Sequence, residues 1–143
     1  MTFLADVNVL IALIDPEHVD HERATDWFAD RGQVRWATCP IVQNGVIRIV
    51  GGASYRAVPL GCEGVAATLA EWCNLVGHEF WPDEVSLLDS NLVDRSRLTS
   101  PSRTTDIYLL ALAASRNGKL ATLDRRLSPD AVRGGAKALH QID

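Results

Sequence analysis

Three acids stand apart from the other carboxylates of this chain. Asp6 follows a short apolar stretch and is embedded in "LADVNVL", and Asp124 follows "KLATL". Asp106 opens a segment, "DIYLLALAAS", that is otherwise almost wholly apolar. In open α/β sheets, the C-terminal ends of strands and the N-termini of the following helices gather in one crevice. If the strands before Asp6 and Asp124 are neighbours, three carboxylates converge there. Like charges a few Å apart cannot all ionise without compensation. A hard divalent cation, Mg²⁺ or Mn²⁺, supplies it and prefers carboxylate and water oxygens. Each acid alone has a plainer role. Asp6 suits a turn or helix N-cap, Asp106 complements a helix dipole, and Asp124 suits a turn with an ion pair to Arg125 or Arg126. Their joint placement at one sheet edge favours a metal site.

The elements that must position them are readable. "TFLA" predicts a strand over Thr2–Ala5, followed by a helix over Val9–Ile14. Residues 16–32 predict an amphipathic helix with Val19, Ala24, Trp27 and Phe28 on one side, stopped by Gly32. "VRWAT" predicts a second strand. Pro40 suits the first turn of a helix running to Val50 and ending at Gly51 and Gly52. A loop leads to a helix over 63–76 with Val65, Leu69, Trp72 and Val76 as its stripe. "HEFWP" predicts a strand, residues 84–98 a helix, and "TSPSRTT" a polar loop. The helix "DIYLLALAASRNG" has Thr104 or Thr105 as N-cap and Gly118 at its C-terminal stop. "KLATL" and "AKALHQI" predict the last strands, the latter at an edge. Strands alternating with helices give one α/β domain over residues 1–143, around a mainly parallel sheet.

Charge and cysteines narrow the class further. The net charge of −4 argues against a general polyanion binder. The sum hides an asymmetry. From Arg95 onward there are nine Lys/Arg against four Asp/Glu, whereas residues 1–94 hold five against fourteen. The C-terminal third can face a phosphate backbone while the rest carries acid. Arg103, Arg125 and Arg126 flank the acids in sequence, as phosphate grips or as solvated charges. Cys39, Cys62 and Cys73 are odd in number and form no CxxC, which points to reduced thiols in a cytoplasm. No signal-like segment and no run long enough to span a bilayer is evident. His18 and His21 lack further soft ligands nearby for zinc and are read as packing or surface residues, as are His78 and His140. The four tryptophans are read as core.

"LADVNVLIALID", "WATCPIVQNGVIRI" and "TTDIYLLALAASRNGKLATLD", in this order, resemble a PIN domain, and more closely the VapC toxins of VapBC toxin–antitoxin pairs. The resemblance runs from Phe3 to about Leu127 and extends to His18, His21 and the "FWPD" of Phe80 to Asp83. It implies a three-layer α/β/α sandwich and a Mg²⁺- or Mn²⁺-dependent endoribonuclease acting on single-stranded or looped RNA, often tRNA. It also implies a homodimer and a cognate VapB-type antitoxin with a segment in the acidic groove. Carried over by position, Asp6, Asp106 and Asp124 are metal ligands, with Asn8 and Thr122 supporting them. The second acid of such proteins falls on Gln43. An amide offers one carbonyl oxygen and no charge. Three carboxylates therefore suit one firmly held ion, with Gln43 assisting, and Gln43→Glu is expected to tighten metal binding. Two other classes compete. One is a PIN-like RNA- or partner-binding module that has lost catalysis. The other is a phosphotransfer receiver, which needs a Lys at a strand end, whereas Lys119 begins its strand.

Overall fold

The computed structural model describes residues 1–32 and 35–143, with the side chain of residue 32 also left aside. Five strands form one sheet in the order β3-β2-β1-β4-β5: β1 Phe3–Ala5, β2 Trp36–Thr38, β3 His78–Phe80, β4 Lys119–Thr122 and β5 Leu139–Gln141. Every pairing is parallel, so the mainly parallel sheet expected from sequence is wholly so among these strands. Parallel sheets need both faces covered, which is why β1 and β4 read as apolar runs rather than alternating ones. The register Leu4↔Leu120 puts these two side chains on one face. There α5 (Thr104–Ser115) packs on β1 and β4 with Leu109, Leu110 and Leu112 fully buried. Phe3 and Ala121 point the other way. They meet Val9 and Ala12 of α1 (Val7–Ile14) and Ala24 and Trp27 of α2 (His21–Trp27). Helices α3 (Pro40–Val50), α4 (Gly61–Cys73) and the short α6 (Gly135–Ala138) complete the two outer layers.

Pro40 takes the first turn of α3, where its missing N–H costs nothing. Gly45 lets α3 approach α1, since a Cβ there would lie 3.0 Å from Val7 Cγ2. Several local expectations are corrected. Residues 16–20 are turns, and α2 gives way to a π-helical turn over Phe28–Gly32, so Val19 is 92% exposed rather than part of the apolar stripe. Helix α4 ends at Cys73 and leaves Val76 exposed. Val34 of the second predicted strand lies outside the described residues.

The helix expected over 84–98 is absent, and only a 3₁₀ turn over Arg95–Arg97 forms there. Ser86, Asp89 and Asp94 each accept a bond from the backbone N–H two residues on, at 3.0, 2.9 and 3.1 Å. Such side-chain turns compete directly with helix hydrogen bonds. Thr104 and Thr105 lie inside α5, not at its cap. At the other end the left-handed residue is Asn117 (φ 54°), not Gly118. Gly118 N–H reaches Ala113 O and Asn117 N–H reaches Ala114 O, closing a Schellman motif one residue earlier than the glycine suggested.

Candidate active site

The neighbouring strands β1 and β4 end at the same edge, with Ala5 opposite Ala121. Asp6 leaves β1 there and becomes the N-cap of α1, its Oδ1 accepting from Val7 N–H at 2.7 Å. Its Oδ2 accepts from Thr122 Oγ1 at 2.8 Å, and its own N–H extends the sheet to Ala121 O. Asp6 is only 3% exposed. Burial first, then the charge of Asp106, push its carboxyl up to about 6, against the bonds from Thr122 and Val7; Asp124 adds to the rise.

Asp124 follows β4 by two residues. Its N–H donates back to Thr122 Oγ1 at 3.1 Å, and its Oδ1 accepts from Arg126 N–H at 2.9 Å. Thr122, fully buried, thus ties the two strand-end acids together. Asp106 sits in the first turn of α5, which runs back antiparallel to β4 and so begins at this edge. Burial raises the Asp106 carboxyl, and Asp124 raises it further, against Arg103. Burial also works to raise Asp124, but the Arg126 N–H and the Arg103 guanidinium outweigh it and hold that carboxyl below the usual range.

Arg103 stands between the outer two acids. Its guanidinium donates to Asp124 Oδ2 and lies 3.7 Å from Asp106 Oδ2. It is therefore an internal counter-charge in the cluster, a role the sequence reading missed. The i, i+3 spacing of Arg103 and Asp106 was the available signal. Arg126 lies 3.9 Å from Asp124 with its side chain 84% exposed, and Arg125 is exposed.

Two further expected residues stand on α1 and α3. Asn8 is exposed on the first turn of α1. Gln43 turns toward β2, its Nε2 donating to Thr38 Oγ1 at 2.9 Å, and Thr38 Oγ1 lies 2.8 Å from His78 Nε2. Its amide is engaged in a neutral cluster that also includes Cys73. The histidines have packing roles: His21 Nδ1 meets Ala12 O, His18 Nδ1 accepts from Asp20 N–H, and His140 accepts from Trp27 Nε1.

In kind, the donors fit a hard divalent ion: three hard carboxylates, mutually repelling, one of them raised chiefly by burial. In position they stand open. Among the described residues no group of three or more His, Cys, Asp or Glu side chains is drawn close enough to hold an ion as it stands. A cation held by Asp6, Asp106 and Asp124 would supply the compensation that Arg103 now gives to two of them.

The chain has relatives among known proteins. The family model described as PIN domain matches residues 3–129. Ribonuclease VapC44 of Mycobacterium tuberculosis (strain ATCC 25618 / H37Rv) is 44% identical over 137 residues, covering 96% of each chain. Ribonuclease VapC39 of the same strain is 42% identical over 139 residues, covering 97% of this chain and all of that one. The crystal structure of VapBC2 from Rickettsia felis bound to a promoter DNA fragment superposes with a TM-score of 0.59 over the full length of both chains at 13% identity, a likeness of fold. The chain belongs to the PIN-domain family, in its VapC group.

Proposed function

We propose that this protein is a divalent-metal-dependent endoribonuclease toxin. Asp6, Asp106 and Asp124 are the ion's ligands, and Gln43, whose Nε2 donates to Thr38 Oγ1, can assist only through its carbonyl oxygen. The observation that carries the reading is the gathering of three carboxylates at one sheet edge, where burial, and after it the charge of Asp106, push Asp6 up to about 6. A bound Mg²⁺ or Mn²⁺ supplies Lewis-acid polarisation of a phosphoryl oxygen and a more acidic water. The chain's own residues do the rest. Thr122 Oγ1–H and Val7 N–H fix the plane of the Asp6 carboxylate, so its free lone pairs face the cleft. Arg103, relieved of the acids, is placed to grip the phosphodiester. Arg126 lies beside it at the rim.

The ribonuclease names of the VapC relatives support RNA as the substrate, tRNA or another structured RNA being the first to try; a VapB-type antitoxin as partner and a homodimer complete the reading. Reduced cysteines fit a cytoplasmic setting. Among the described residues no helix is long and apolar enough to cross a membrane. The deciding experiment is cleavage of total tRNA with Mn²⁺ or Mg²⁺ titrated against EDTA, beside Asp6→Asn. Fragments that need metal and vanish in the variant are expected; a wild-type protein that binds Mn²⁺ but cuts no RNA would count against the enzyme.

One observation favours a second reading. With Gln43 turned away and Arg103 neutralising two acids, the domain can bind RNA or a partner without cutting. Retained RNA affinity with no Mn²⁺ binding would select it.

A further inference from the structure

Next to the acids lies a cavity of about 540 Å³, within the size range of ligand sites. Two loops build it, one leading into α5 and one following β4. They are tied across their far ends by the antiparallel bridge Val93↔Val132, with Asp94 N–H to Ala131 O at 2.9 Å and Arg133 N–H to Leu92 O at 2.8 Å. The walls are therefore backbone-locked, not loosely draped. The floor is apolar: Ile107, Leu127 and Ala131 are 6%, 4% and 4% exposed. The rim carries three guanidiniums, Arg97, Arg103 and Arg126, and the hydroxyls of Ser96, Thr99, Ser100 and Ser128. One acid, Asp130, lines it as well.

Two of those guanidiniums, Arg103 and Arg126, also pair with Asp124, so the cavity opens directly onto the candidate cutting site. Arg97 pairs elsewhere, with Asp94 and Asp130. Its contacts with Asp94 at 3.9 Å and Asp130 at 3.8 Å are long and solvent-exposed, so they hold it weakly. An apolar floor under a ring of arginines and hydroxyls matches a nucleotide: a flat base or ribose below, a phosphate at the rim. No aromatic ring lines the cavity, so the base would rest on aliphatic side chains and guanidinium planes.

We infer that this cavity seats the RNA nucleotide adjoining the phosphodiester at the acids, with its phosphate held between Arg97 and Arg126. The inference rests on the ribonuclease reading and adds where the flanking strand lies. Arg97 was not among the basic residues that its sequence position suggested.

The test is fluorescence anisotropy of a labelled mixed-sequence single-stranded RNA in EDTA, where nothing is cut, across a salt series. Arg97→Gln should weaken binding about fivefold and lower the salt slope by about 0.7, one phosphate contact on a single strand. Asp130→Asn, which removes the competing acid, should tighten it, and a gain cannot be mistaken for misfolding. Mn²⁺ affinity by calorimetry should be unchanged in both. Wild-type RNA affinity and slope in both variants would overturn the subsite while leaving Mn²⁺ binding and cleavage, and so the ribonuclease reading, intact. Inorganic phosphate binding to the wild type but no variant effect on RNA would make this a phosphate site and overturn it too. Loss of antitoxin binding without loss of RNA binding would show the cavity to be a protein-docking site, again against the inference.

Discussion

Two polar clusters flank the central strand of the sheet, and they solve the problem of buried polarity in opposite ways. Beside β4, Asp6, Asp106 and Asp124 are charged and crowded, and they lean on Arg103. Beside β2, Gln43, Thr38, Cys73 and His78 are uncharged and bonded to one another. Burial lowers the His78 imidazole, which favours its neutral form there. The neutral cluster pairs the Gln43 amide N–H, the Thr38 hydroxyl and the His78 ring with one another, so it needs no counter-ion. The charged cluster is frustrated, and frustration of this kind marks a place built to take up something from outside. The amide of Gln43 keeps the cluster beside β2 free of carboxylates.

The comparison breaks most sharply at Asp6. Asp6→Asn should lower metal-dependent RNA cleavage by roughly a hundredfold or more, measured as initial rate with Mn²⁺, because one charged ligand is lost from the developing-charge site. The same change should stabilise the metal-free fold. The folded carboxyl titrates near 6 against an ordinary 3.8, so between those values the native state binds more protons than the unfolded one. Stability of the wild type therefore falls as pH rises from about 4 to about 6, by about 3 kcal/mol in full. Asp6→Asn should show a higher Tm than wild type at pH 7 and an equal one near pH 4; a wild-type curve flat over that window would contradict the crowding.

Arg103→Gln takes the internal counter-charge away. Mn²⁺ affinity should rise about tenfold by calorimetry, since the ion no longer competes with a guanidinium, while RNA cleavage falls. An unchanged affinity would mean that Arg103 does not screen the acids. The smallest effect sharpens the boundary between the clusters. Gln43→Glu removes the N–H that ties the side chain to Thr38, and the freed carboxylate is drawn toward the cation. A rise of about threefold in Mn²⁺ affinity is expected; no rise would show that the two regions stay separate whatever the charge at 43.

Much of the acidic cluster was legible in the sequence because its signals are local. An apolar strand followed at once by Asp gave Asp6 and Asp124, and an acid opening an apolar helix gave Asp106. The resemblance gave Thr122 a supporting position; in the fold its hydroxyl donates to Asp6 Oδ2. The neutral cluster was not legible, because the partner of Gln43 comes from a strand reached through side-chain geometry rather than spacing. The false helix over 84–98 had an adequate apolar content. What it lacked was freedom from Ser and Asp that capture their own backbone, and that competition decided the outcome. The nucleotide-sized cavity was illegible for the same reason, since it is made by the loops that such turns create.

The turn at Asn117 and Gly118 lies at the end of the molecule opposite to the acids. A Cβ on Gly118 would come within 2.7 Å of Trp81 Cη2 and 2.8 Å of Thr2 O. Helix α5 and strand β4 leave that bend like the two arms of a pair of tongs, and each carries an acid at its tip, Asp106 on one and Asp124 just beyond the other. Twelve helical residues make an arm of about 18 Å. A methyl group added at the pivot would meet Trp81 and the Thr2 carbonyl, so the bend joining the two arms has room only for glycine.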